Sequence, residues 1–150
     1  MNFTTAENGQ KQSEGSYDAG GQTGMWVKWH ANGNKEFEGA WEGGKEQGPW
    51  QRWYEDGTLE AQGSYDQGLM TGEWTTYYKN GQKKQVASHV SGKFNGPYVS
   101  WFQNGQKQSQ GDFVLGRREG AWRYWNEDGT PDTKSTGNYK NDRRVQEEGK

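Results

Sequence analysis

The chain has 150 residues, no cysteine, 18 basic against 20 acidic residues, and a formal net charge of −2. That excludes a disulfide framework and a thiolate metal site, and it leaves no electrostatic footprint for nucleic acid. Leu, Val and Phe supply 14 residues and Ile none, below the roughly 20% at which disorder is the default, yet 22 rings of Trp, Tyr and Phe replace the missing aliphatic core.

From the N-terminus, no basic segment followed by an apolar one comes after Met1, and no apolar run approaches the ~20 residues of a membrane span. The chain is expected to be cytoplasmic if Met1 is the native start, and periplasmic or secreted if it is a matured fragment. Asn8-Gly9, Gly15, Tyr17 and Gly20 then fall in the register of the repeats that follow. They read as the second half of a unit whose first half is missing, with Asn2 and Thr5 standing where two Trp are expected.

From Gly24 the sequence repeats every 24 residues. The blocks open GMWVKWHANG, GPWQRWYEDG, GEWTTYYKNG, GPYVSWFQNG and GAWRYWNEDG, starting at Gly24, Gly48, Gly72, Gly96 and Gly120. Position three is Trp26, Trp50, Trp74, Tyr98 and Trp122. Position seven is His30, Tyr54, Tyr78, Phe102 and Asn126. Position sixteen is Gly39, Gly63, Ala87 and Gly111, and position eighteen is Trp41, Tyr65, His89 and Phe113. In the last block Gly137 and Tyr139 fit these positions once two residues near Pro131 and Asp132 are inserted. A fixed period of this size marks a stacked repeat architecture with atypical terminal units. The chain is read as one domain, with a half repeat at 1–23, repeats at 24–47, 48–71, 72–95 and 96–119, and an atypical last repeat at 120–150.

Each unit reads as a β-hairpin. Asn32-Gly33, Asp56-Gly57, Asn80-Gly81, Asn104-Gly105 and Asp128-Gly129 favour a two-residue type I′ turn. The fold expected is all-β: an elongated, single-layer antiparallel β-meander of about eleven strands, roughly 50 Å long. The type I′ register pairs position seven with twelve, five with fourteen and three with sixteen, setting Trp26 over Gly39 and Trp50 over Gly63. Rings at three, seven and eighteen then share one face. Position six projects from the other face among Gln51, Thr75, Glu36 and Glu60. A three-residue type I turn with a bulge is the alternative. It slips the pairing by one and moves position eighteen to the face of position six.

The unit G-x-W-x-x-W-[YF]-x-[ND]-G, followed by K-x-x-x-x-G-x-[YWF]-x-x-G, resembles the MORN-repeat variant over residues 8 to about 143. This resemblance implies a single-layer sheet used as a scaffold or binding surface. It carries over no catalytic residue, and it points to bacterial proteins that include antitoxin components of toxin–antitoxin systems. Related MORN proteins are associated with membranes, partner proteins and dimerisation.

The candidate binding residues are the position-six rings Trp29, Trp53, Tyr77, Trp101 and Trp125. They recur every two strands, about 9.6 Å apart, and form either an in-line platform or a second small core. Lys11, Lys35, Lys83 and Lys107, with Leu59 between them, form a stripe at position twelve whose stems cover rings. His30 and His89 sit at ring positions and read as structural. Asp18, Glu42 and Asp66 read as a solvated edge ladder, and Gly20–Gly24 lacks the Lys-Ser/Thr ending of a phosphate loop.

No enzyme, cofactor or metal site is expected. The expected function is a repeat scaffold for protein–protein interaction or self-assembly. Its partner would be a protein or a second copy joined at the strands near 10–17 and 134–140, as an edge-strand dimer or filament. The alternatives are a carbohydrate- or cell-wall-binding module using the position-six stripe, and an antitoxin-like inhibitor of a partner toxin.

Overall fold

A computed structural model describes residues 2–5 and 9–146. Among the described residues, thirteen antiparallel strands lie side by side in chain order in a single sheet. Asn2–Thr5 (β1) and Lys11–Asp18 (β2) begin it. Gly21–Trp29 (β3), Lys35–Glu42 (β4), Lys45–Trp53 (β5) and Leu59–Asp66 (β6) follow, then Leu69–Tyr77 (β7), Lys83–Val90 (β8), Lys93–Trp101 (β9) and Lys107–Val114 (β10). Arg117–Tyr124 (β11), Gly137–Lys140 (β12) and Arg143–Val145 (β13) complete it. Twelve steps of about 4.8 Å make the sheet roughly 58 Å long.

Two strands exceed the eleven expected. β1 pairs with β2 through Asn2↔Gly15, the register that aligns Trp26 with Gly39 in the next hairpin. Backbone pairing forms there without the rings, so the first-half strand is present. Asn8, read as part of the first turn, lies outside the described residues. At the other end β13 pairs with β12. The strands near 10–17 and 134–140 are therefore interior to the sheet, and its edges are β1 and β13.

The turns differ from the favoured expectation. Gly33, Gly57, Gly81, Gly105 and Gly129 have φ between +86° and +92°, but the Asn or Asp before each does not have positive φ. Gly33 N–H donates to the His30 carbonyl (3.0 Å) and His30 N–H to the Asn34 carbonyl (2.8 Å), and this pattern recurs in all five hairpins. These are three-residue type I turns with a glycine bulge. Asn or Asp suits them because its Oδ1 accepts the N–H two residues on, as in Asn34 to Asn32 (3.0 Å) and Thr58 to Asp56 (2.9 Å).

The one-residue slip expected from this turn is cancelled further along the hairpin. Trp29 pairs with Lys35, but Lys28 pairs with Phe37, leaving Glu36 as an extra bulged residue. The favoured register is thus restored, with Trp26 opposite Gly39 and position eighteen on the face of position three. The type I′ geometry appears at the opposite end of the strands instead. Gly43-Gly44, Gln67-Gly68, Ser91-Gly92, Leu115-Gly116 and Asn141-Asp142 all have positive φ at both residues.

The core is a layer of indoles lying on glycines. Trp26, Trp50, Trp74 and Trp122 are 2–5% exposed. Each ring lies on the position-sixteen glycine of the preceding strand, so that a Cβ at Gly15, Gly39, Gly63 or Gly111 would collide with it. The pairing expected within the hairpin is present, but the ring leans the other way, onto the earlier unit. Its Nε1–H explains the direction. Trp26 donates to the Ser16 carbonyl (3.1 Å), Trp50 to Ala40 (3.0 Å), Trp74 to Ser64 (2.8 Å) and Trp122 to Asp112 (3.0 Å), each ten residues back. A buried indole N–H left without an acceptor is costly, and this backbone oxygen is in reach.

Two departures from the repeat compensate each other. Ala87 replaces glycine and is fully buried, and the residue paired with it from the next strand is Tyr98, the one non-Trp at position three. The narrower ring accommodates the added methyl, and its hydroxyl donates to Gln85 Oε1 (3.0 Å). Position-eighteen rings wedge edge-on between the indoles. Trp50 meets Trp41 and Tyr65 at 5.6 Å each, and Tyr65 meets Trp74 at 4.9 Å.

The last unit holds its two-residue insertion in a turn after Pro131, where Thr136 N–H donates to the Asp132 carbonyl (3.1 Å). Past it, Trp122 pairs with Gly137. The Arg144 side chain then lies over Gly137, where the next indole would otherwise lie, and donates from Nη1 to the Lys134 carbonyl (2.9 Å).

Replacing Trp50, Trp74 or Trp122 by Ala is expected to destabilise the protein by about 3–5 kcal/mol each, read from thermal melts. Tyr98→Trp alone should destabilise by about 1–3 kcal/mol through overpacking against Ala87. Adding Ala87→Gly should restore most of that loss, a coupling that a double-mutant cycle measures.

Leu115 is a bulky residue held at φ +46° and 60% exposed. Leu115→Asn is expected to raise stability by about 1 kcal/mol, because left-handed backbone costs a non-glycine residue roughly that much and little packing is lost. A lower denaturation midpoint would contradict this.

Candidate functional site

Side chains alternate along a strand, so each unit presents a ring face and a second face. The ring face carries positions three, fourteen and eighteen. Trp29, Trp53, Tyr77, Trp101 and Trp125 lie three residues beyond the position-three rings, on the second face, and all are half-buried. Lys35 Nζ sits 5.8 Å above the Trp53 ring and Lys107 Nζ 6.0 Å above that of Trp125, so position-twelve lysines cover rings of the following unit. The same ammoniums bond along their own strand, Lys35 to Glu38 (2.8 Å) and Lys107 to Gln110 (2.9 Å). Tyr77 adds a bond from Gln62 Nε2 to its hydroxyl (3.2 Å).

The backbone of this stripe is bonded to the unit before it. His30 Nε2 donates to the Trp53 carbonyl (2.8 Å), Tyr54 Oη to Tyr77 (2.6 Å) and Tyr78 Oη to Trp101 (2.7 Å). Asn32, Asn80 and Asn104 add Nδ2 bonds to the carbonyls of Glu55, Gln103 and Glu127, at 2.6–2.9 Å. Position seven thus works as an inter-unit tie, and His30 fills it as Tyr does elsewhere.

The bulge changes the neighbours expected for the stripe. Glu36 turns to Lys28 on the ring face (3.3 Å), and Glu60 lines a depression on that face rather than flanking position six. This depression, about 340 Å³, lies between β5 and β8. Trp50, Tyr54, Ala61, Tyr65, Met70 and Trp74 supply its apolar wall, and Arg52, Glu60, Lys84 and Gln85 its polar one. Burial pushes the phenol pKa of Tyr65 up, with the Arg52 cation opposing it, and burial together with the Glu60 and Asp56 charges raises that of Tyr54. Sequence reading does not single out this place. Its only signal is Ala61 at a position occupied by Phe37 one unit earlier.

Among the described residues, no cluster of three or more His, Asp or Glu side chains is placed to hold a metal ion, and no helix is long and apolar enough to cross a membrane. At the C-terminal end, Arg118 lies 4.3 Å over the Tyr139 ring, bonds Asp142, and donates to the Tyr124 hydroxyl (2.8 Å). That pairing holds the Asp142 carboxyl below the usual carboxylate range.

His89 is a buried titratable group of the ring face. It packs on Phe94 at 5.0 Å, and its Nδ1 lies 3.1 Å from the Ala87 carbonyl. Burial lowers its pKa below 6.5, against the opposing pull of the Ala87 and Gly72 carbonyls. Below 6.5 the unfolded chain therefore binds a proton that the folded chain resists. Stability is full above that pH and falls as the pH drops toward the depressed value. His89→Phe should remove this part of the acid sensitivity, as read from denaturation midpoints between pH 7 and 5.

Residues 46–67 and 70–90 match the MORN repeat variant, and the two matches cover the hairpins β5–β6 and β7–β8. No curated protein sequence matches the chain. A MORN repeat variant is therefore present in residues 46–90, the segment that also carries the ring-face depression.

Proposed function

We propose that the chain is a non-catalytic repeat scaffold that binds a partner polypeptide across the ring face of its sheet. The observation that carries this reading is the single layer. Strands pair only with their neighbours in chain order, and no second layer lies over the rings among the described residues. The indoles are held from within the sheet by carbonyls ten residues back, so the face keeps its shape without a covering layer. Stacked repeats use such extended surfaces for binding, and the MORN repeat variant in residues 46–90 agrees with a scaffold role.

The position-six stripe supports partner binding less directly, since lysines already cover two of its rings. Edge-strand assembly is also the weaker route. β1 has only four residues and β13 three, two of them Arg; shortness at both edges and charge at β13 resist strand addition.

Photo-crosslinking in the native host tests the proposal. A benzophenone amino acid placed at Arg52 or Lys84 is expected to capture one polypeptide of defined mass, whereas the same group at Glu73 on the second face does not. Capture of only a second copy from Arg143 would overturn the reading in favour of edge assembly. Glycan-array binding lost in Trp53→Ala and Trp101→Ala would overturn it in favour of a carbohydrate module.

A further inference from the structure

The repeats act as an internal reference for one another at position fourteen. In the first unit Phe37 stands there, between Lys28 on one strand and Arg52 on the next, and its ring lies 5.1 Å from the Trp50 ring at a tilt of 32°. In the second unit the same place is Ala61, between Arg52 and Thr76. The indole two residues before Thr76 is Trp74, the counterpart of Trp50. The next two units fill the place with polar pairs: Gln85 accepts from Tyr98 Oη (3.0 Å), and Ser109 bonds Ser100 (2.5 Å). At Ala61 neither a ring nor a polar pair is present, and the depression of about 340 Å³ opens there.

We infer that this depression is a receptor site for an aromatic side chain of a partner polypeptide, a phenyl or phenol ring that takes over Trp74 the place Phe37 takes over Trp50. The inference rests on the scaffold reading above and specifies its contact point. The surrounding chemistry fits a ring. Trp74, Tyr65 and Tyr54 give apolar and edge contacts, and Met70 adds a polarisable thioether. Charge complementarity defines the residues flanking the incoming ring. Arg52 and Lys84 outnumber Glu60 on the lining, so the site favours an aromatic residue beside a carboxylate over one beside a lysine.

Three peptides test this: acetyl-Glu-Phe-Glu-amide, its Leu analogue, and acetyl-Lys-Phe-Lys-amide. The readout is the indole N–H resonances of Trp50 and Trp74 during titration. The acidic Phe peptide is expected to shift Trp74 saturably, with binding about tenfold weaker for either other peptide. Ala61→Phe fills the site from within and is expected to abolish the shift while melting no lower than the parent. Ala61→Leu serves the same purpose if the Phe variant does not fold. Lys84→Gln should narrow the preference between acidic and basic peptides while keeping that for Phe over Leu.

Equal binding of the Phe and Leu peptides, or an unchanged titration in a folded Ala61→Phe or Ala61→Leu protein, would overturn the inference. Crosslinking from the ring face that persists in Ala61→Phe would also overturn it and leave the scaffold reading standing. Loss of crosslinking throughout, with the peptide titration intact, would overturn the scaffold reading and leave the site.

Discussion

An indole laid flat on a glycine of the preceding strand, with its N–H bonded to a carbonyl ten residues back, is the interaction on which this sheet depends. A one-layer sheet has no opposing layer to bury its apolar side chains. The rings therefore obtain burial from the sheet itself, which requires the strand beneath each indole to carry no Cβ. That constraint explains why position sixteen is glycine, and why Ala87 coincides with Tyr98 in place of Trp. Position-eighteen rings then pack edge-on against each indole, on both sides at Trp50, and the apolar layer becomes continuous within each cluster of units.

A second constraint is rotational. Each unit needs a fixed register if its ring is to reach the right glycine, and two devices set it together. The three-residue turn at Asn-Gly shifts the pairing by one, and the bulge at Glu36 and its counterparts shifts it back. The bulge has a further effect, because it brings the position-thirteen side chain to the ring face. There Glu36 meets Lys28, and Glu60 becomes part of the lining beside Ala61. A local correction of register thus contributes one of the polar groups of the candidate site.

The units are alike in backbone and unlike in what they leave open. Arg144 closes the last glycine at one end. At the other end Tyr17 has an indole on one side only and is 56% exposed. Between them the ring face is filled by Phe37 and by the polar pairs of Gln85 and Ser109, and open at Ala61. Binding specificity in such a protein resides in departures from the repeat, since the conforming positions are committed to holding the sheet together.

By itself the sequence determined the strand-turn period, the all-β single-layer architecture, the ring positions and the opposite faces of positions three and six. These follow from the alternation of side chains and from a 24-residue pattern repeated often enough to average out local exceptions. Only the tertiary structure decided four things. The turn type depended on whether Asn32 and its counterparts adopt positive φ, which Asn-Gly permits and the adjoining bulge makes unnecessary. The direction in which each indole leans depended on which flanking strand brings a backbone carbonyl to its N–H, and that is the strand ten residues back. The strands β1 and β13 formed from backbone pairing in segments without the marker rings. The opening at Ala61 is a missing side chain next to a present one. It becomes visible only when adjacent strands are placed side by side and Phe37 shows what fits there.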